Sequence, residues 1–183
     1  RGPDEQSFHY FPQGAFNQNF LLAGYIPSSF RHEMQPITLN YKDNSYTLLF
    51  DGFISNPEEI AMDLEVYHIH TENMSLEELL LFSFFQHGTD FIKRLRGAFA
   101  LAIFNQNHKT LYLFRDALGL RPLFYCHRAN TLVFASEIKA LFQYPGIEPV
   151  LKQEGLTELL ALGPARKRGS AIFDGIFEVK ATS

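Results

Sequence analysis

Tryptophan is absent from this chain of 183 residues, and cysteine occurs once, at Cys126. A single thiol excludes an internal disulfide, so burial and hydrogen bonding have to hold the fold. No apolar run approaches the about 20 residues that a membrane-spanning helix requires. No signal-peptide pattern opens the chain, and a soluble, reducing, cytoplasmic setting is the expectation. Basic charge is scarce as well. The formal net charge is −4, from 20 acidic against 16 basic residues, and no basic run exceeds Arg166-Lys167-Arg168. That balance disfavours nucleic acid as a partner. Any G-x-x-x-x-G-K-(S/T) phosphate loop is missing too.

What the chain has in plenty is phenylalanine and tyrosine. Nineteen Phe and eight Tyr predict aromatic packing between sheets. The length fits one domain, able to bury about 70% of its extended surface.

Apolar runs rich in β-branched and aromatic residues predict strands over 20–25, 46–55, 97–105, 110–116, 122–128 and 131–137. Asn105-Gln106-Asn107-His108 and Arg128-Ala129-Asn130 read as hairpin loops, so neighbouring strands should pair antiparallel. Asn56-Pro57-Glu58-Glu59 combines an N-cap, a first-turn proline and dipole-favoured acids, opening a helix to about residue 64. Ser75 and Glu78 form a capping box before LLLFSFF, and Gly88 stops that helix. A third helix is expected at about 136–143, with Ser136 as N-cap, and a fourth from Gln153 to Leu162, closed by Gly163-Pro164.

Several side-chain groups invite a functional reading. His68-Ile69-His70 on a strand would put both imidazoles on one face, with Glu72 continuing it. No third ligand stands at a characteristic spacing, so a solvated face is preferred and no metal is expected. Arg115, Asp116, Gly119 and Arg121 interrupt an apolar strand-turn-strand. Buried, charge-assisted hydrogen bonds locking the turn, with glycine at a positive φ, explain them better than ligand contact. Arg1 and Asp4 are candidates for a similar role. Cys126 follows Phe124-Tyr125 on a predicted strand and reads as an apolar core residue. Ser136 and Glu137 read as a helix cap, with room for a role at an interface.

Residues 94–142 carry a dense, ordered set of motifs: Arg94-Leu95-Arg96-Gly97-Ala98-Phe99, then Arg115-Asp116 with Gly119, Arg121 and Pro122, then Phe134-Ala135-Ser136-Glu137. With Arg1-Gly2-Pro3-Asp4, Gln35-Pro36, residues 50–56 (FDGFISN) and residues 159–179, they make nearly the whole chain resemble the class II glutamine amidotransferase domain of glutamine-hydrolysing asparagine synthetases. The resemblance implies an α+β fold, a four-layer αββα sandwich of antiparallel sheets of the N-terminal-nucleophile hydrolase type. Here that fold is expected to lack the first strand and helix. It implies residues 1–180 as the amidotransferase-type domain, N-terminally incomplete, and 181–183 as the start of a linker to an absent synthetase domain.

Members of that family begin with Cys-Gly, and the cysteine attacks the substrate amide while its own α-amino group takes the proton. Residue 1 here is arginine, so no catalytic residue is assigned. Family members read Asn-Gly-Glu where this chain has Asp51-Gly52-Phe53. The resemblance implies that Asp51 and Gly52 stand at the oxyanion hole and Phe53 at a substrate-binding position. Ile26 takes the place of the arginine that grips the substrate carboxylate, with Arg31 five residues on. Leu76 takes the place of the aspartate that grips the ammonium. A carboxylate at Asp51 offers acceptors where the oxyanion needs donors, while Gly52 keeps its N–H. Leucine accepts no hydrogen bond, and an apolar residue cannot clamp a carboxylate.

The expectation is therefore a glutaminase-type domain with a degraded pocket, inactive on glutamine as it stands. In an intact member, glutamine would supply ammonia for ATP-dependent amide formation. No cofactor is expected in this domain. The family's SGG-x-D-S pyrophosphate loop is absent, so ATP and Mg belong to the C-terminal synthetase domain, the expected partner. Glutamine is a partner only for an intact site, and a homodimer is left open. The alternative is a non-catalytic scaffold or docking domain, as in related β-lactam synthetases and lasso-peptide cyclases.

Overall fold

A computed structural model describes residues 5–11, 20–26, 36–128, 131–162 and 171–181, and for the first two segments the backbone alone. The chain divides into two compact units, one of residues 1–97 with 101–113 and one of residues 98–100 with 114–183.

The first unit begins with β1 (Glu5–Phe11) paired antiparallel to β2 (Phe20–Ile26). A four-stranded sheet follows, in the order β3 (Ile37–Tyr41), β4 (Asn44–Ile54), β5 (Gly97–Asn105) and β6 (Thr110–Arg115). β3 and β4 form an antiparallel hairpin, Ile37 opposite Leu48 and Tyr41 opposite Asn44. Its two-residue turn puts Lys42 at φ 45° and Asp43 at φ 62°, the left-handed pair that suits the strands' own twist.

Two helices separate β4 from β5. α1 (Pro57–Glu65) has its proline at the first turn and Glu58 and Glu59 beside it. It buries Ile60 and Leu64. α2 (Leu76–His87) opens on the expected capping box: Glu78 N–H donates to Ser75 Oγ, and Ser75 N–H donates to the Glu78 carboxylate at 2.8 Å. Leu79, Leu80, Leu81 and Phe84 of α2 are all buried, as an apolar sequence on every side of a helix demands. Aromatic rings join α2 to the strands. Tyr41 stacks on Phe85 at 4.4 Å between centroids, and Phe84 meets Tyr46 and Tyr112 edge-on at 6.0 and 5.2 Å. A short 3-10 helix, Gly88–Arg94, leads on to β5 and buries Phe91 and Ile92.

The second unit holds a three-stranded sheet in the order β8 (Thr131–Ala135), β7 (Phe124–Arg128) and β9 (Ile176–Glu178), both pairings antiparallel. Phe124, Cys126, Leu141, Ile147, Ala171 and Ile176 make its core, with Val133, Ile138, Phe142 and Phe173 packed against them. On the other side of the ladder Tyr125 stacks on Phe177 at 5.5 Å. α3 (Ile138–Leu141) and α4 (Gln153–Leu162) complete it. α4 passes so close to the backbone of Ile172 that a Cβ on Gly155 would stand 2.7 Å from the Ile172 carbonyl.

Three expectations need correction. His68-Ile69-His70 is not a strand: Tyr67 and His68 N–H groups donate to Leu64 and Glu65 carbonyls, and His68 takes φ 60°, ending α1 in a left-handed turn. Ser136 does not cap α3, which is only four residues long and starts after Glu137 in an extended conformation with no side-chain cap. Asn56 precedes α1 but makes no side-chain capping bond either. The proposed closure of α4 by Gly163-Pro164 lies outside the described residues, as do Arg1, Asp4 and Arg31.

Candidate functional site

The end of β4 carries Asp51, Gly52 and Phe53, and the connection to β5 pins it. Ser55 donates from both N–H and Oγ to the Arg96 carbonyl, at 2.8 and 3.1 Å. The buried Asn56 carboxamide bridges the same stretch, donating to the Arg94 carbonyl at 3.0 Å and accepting from Arg96 N–H at 2.9 Å. That is why it caps nothing. Gly97, at φ 148°, lies against the Phe53 carbonyl so closely that any Cβ would overlap it. Gly52 has φ 143°, a conformation that suits glycine alone. Asp51 and Gly52 are half-buried and Phe53 is 54% exposed.

Leu76 is the first residue of α2, half-buried, directly after the Ser75 cap. α2 packs against β3 and β4, so the helix start and the Asp51–Phe53 strand belong to neighbouring elements of the same unit. Ile26 ends β2, opposite Glu5; its side chain lies outside the described residues.

The second constellation is the turn after β6. Asp116 is 1% exposed. Its Oδ1 accepts from the N–H groups of Leu118 and Leu120, at 3.1 and 2.9 Å, and its Oδ2 from those of Arg121 and Phe99, at 3.0 and 3.3 Å. Burial pushes this carboxyl up, but the N–H groups of Arg121, Leu120, Phe99 and Leu118 together outweigh it and hold the group below its ordinary value. Arg115 works on carbonyls instead. It donates to Arg121 O at 2.6 Å, Gly119 O at 2.5 Å and Val179 O at 3.2 Å, and forms a part-buried ion pair with Glu178 at 2.6 Å. Gly119 takes φ 66°, and a Cβ there would stand 3.1 Å from the guanidinium carbon. Arg115, Asp116, Gly119 and the Arg121 backbone are thus brought together. The ion-pair partner, Glu178, is 63 residues away in sequence, and no local pattern announces it.

Cys126 is a free thiol, fully buried in the second unit's core. Among the described residues no three His, Cys, Asp or Glu side chains gather as a metal site would require. Sequence reasoning also missed an ion cluster in which Asp63 accepts from His87 Nε2 at 2.6 Å and from Arg94 at 3.0 Å. No helix among the described residues is long and apolar enough to cross a membrane.

A family model described as the glutamine amidotransferase domain matches residues 1–183. The chain belongs to that family. It is 35% identical over 180 residues to asparagine synthetase [glutamine-hydrolyzing] 3 of Bacillus subtilis strain 168, covering 98% of this chain and 29% of that relative. Asparagine synthetase [glutamine-hydrolyzing] 1 of the same organism is 36% identical over 141 residues, 77% of this chain and 21% of the relative. This amidotransferase domain therefore spans under a third of the length of the relatives it matches.

Among solved structures it is similar to the glutamine phosphoribosylpyrophosphate amidotransferase of B. subtilis. The TM-score is 0.56 and the identity 22%, over 67% of this chain and 28% of that one. A structure described as the allosteric regulatory enzyme of purine biosynthesis gives a TM-score of 0.50 and 24% identity, over 60% and 25%. These likenesses show the fold, the α+β class with antiparallel sheets expected from the sequence.

Proposed function

We propose that this is the amidotransferase-type domain of an amide-forming enzyme akin to asparagine synthetases, with a pocket altered so that glutamine is hydrolysed poorly or not at all. What supports the reading is Asp51 beside Gly52 at the pinned end of β4, where the resemblance puts the oxyanion hole. A carboxylate there opposes a developing oxyanion, and the loss of one donor costs about 2.7–4 kcal/mol of barrier. Phe53 and Leu76 bring no charge and no acceptor to the positions that would hold the amino acid's ends. Gly52 retains an N–H, one donor instead of two. ATP and Mg belong, on this reading, to a further domain of the whole protein, which these residues would serve.

A scaffold role follows from the same contrast. The capping box, the Asp116 turn and the strapped β4 end are built to hold shape, while the changes fall on the positions that would touch glutamine. The test is glutamate release from glutamine by the full-length polypeptide, with and without ATP and an acceptor. Little or none is expected, with product still formed from free ammonia or an internal amine. Asp51→Asn with Phe53→Glu and Leu76→Asp should raise release. Robust hydrolysis by the unaltered protein would overturn the reading.

A further inference from the structure

The turn over 116–121 is rigid and yet apolar at its tip. Four backbone N–H groups are fixed on Asp116, and two of the turn's carbonyls are fixed on Arg115. Even so, Leu118 is 71% exposed and Leu120 60%. A flexible loop could fold such side chains inward, but this one is held open. Apolar side chains presented on a preorganised loop lose little freedom when covered, which is what a contact surface requires. The same Arg115 holds Glu178 and the Val179 carbonyl, while Val179 N–H donates to Leu123 O at 2.8 Å. Residues 178–179 and the carbonyls of Gly119 and Arg121, which flank Leu120, are thus bound to one side chain, within one unit.

We infer that Leu118 and Leu120 dock the part of the same polypeptide that follows this domain. The inference rests on the reading above, that such a part exists, and on two facts. The similar asparagine synthetase is covered to only 29% of its length. The strand that leads toward residue 180 is tied to the turn itself. Anything continuing from there starts within reach of the two leucines, at high effective concentration.

Hydroxyl-radical footprinting of the full-length protein tests this, with Leu160, 79% exposed, and Val66, 74% exposed, as solvent standards. Leu118 and Leu120 are expected to be modified severalfold more slowly than both standards. In a Leu118→Asp, Leu120→Asp variant, the domain's thermal transition should hold, because both side chains face outward. Tryptic cleavage after Lys180 should quicken severalfold. Labelling as fast as the standards, in a polypeptide whose mass shows a further domain, overturns this inference and leaves the functional reading standing. A native mass with no further domain overturns both. Protection lost on dilution, together with a dimer seen by light scattering, assigns the surface to a second copy and overturns the inference.

Discussion

Asp116 shows how one carboxylate can specify a turn. Its four N–H partners come from Phe99, Leu118, Leu120 and Arg121, and all of these bonds lose their charge assistance if the carboxylate is neutralised. Because the folded carboxyl titrates below its ordinary value, its contribution is complete above the unfolded value of about 3.9 and disappears as pH falls through the folded one. Asp116→Asn, which can still accept but replaces charge with a dipole, is expected to cost about 1–3 kcal/mol at pH 7. Its deficit against the parent should shrink below about pH 4. Urea midpoints at pH 7 and pH 3 check this; a gap that stays constant would mean the charge is not the source. That Asp116, Arg115 and Gly119 form a locked turn was legible from polar residues placed between two apolar strands. The Arg115 ion pair was not, because Glu178 lies 63 residues away on another strand.

At the scale of elements, local signals carried the long segments. β5 and α4 occupy the ranges their apolar patterns predict, and the capping box sets the start of α2. β9, with three residues, is too short for any period to register. β3 was missed although Ile37, Leu39 and Tyr41 are half-buried while Thr38 and Asn40 are exposed, an alternation that was there to be read. The reverse error, a strand at His68–His70, came from taking a three-residue alternation for a period.

The strap between β4 and β5 separates a local reading from a tertiary one. For a plain N-cap, Asn56→Asp would be neutral or favourable. Because the carboxamide instead donates to the Arg94 carbonyl, a carboxylate there faces a carbonyl oxygen, and a loss of about 1–3 kcal/mol is expected. Gly97→Ala is expected to cost more than the roughly 1 kcal/mol that a compatible glycine replacement would gain, since the new Cβ overlaps the Phe53 carbonyl. Chemical denaturation measures both. An Asn56→Asp variant as stable as the parent would return Asn56 to the role of a simple cap.

For the whole molecule, the fold class and the family were legible because framework motifs run through the entire chain. The pocket is a reading of substitutions alone, at Asp51, Phe53, Leu76 and Ile26, and the side chain of Ile26 lies outside the described residues. Charge gives the prediction at this scale. With a net charge of −4 and a pI near 6.0, this chain should be least soluble close to pH 6, at low salt, and clear on either side. Turbidity across about pH 4–8 reads this directly, and a maximum far from pH 6 would show that buried carboxylates such as Asp116 distort the titration.

β9 has one further consequence, which concerns tension. Three residues paired to β7 make a weak fastener. A pull on the chain beyond Lys180 would be shared by that short ladder, by the Leu123 carbonyl and by the guanidinium of Arg115, which passes it on to Gly119 and Arg121. Arg115 therefore acts as a cable clamp, and a load on the end of the domain is felt in the Asp116 turn as well as in the core around Cys126, which β9 meets through Ile176.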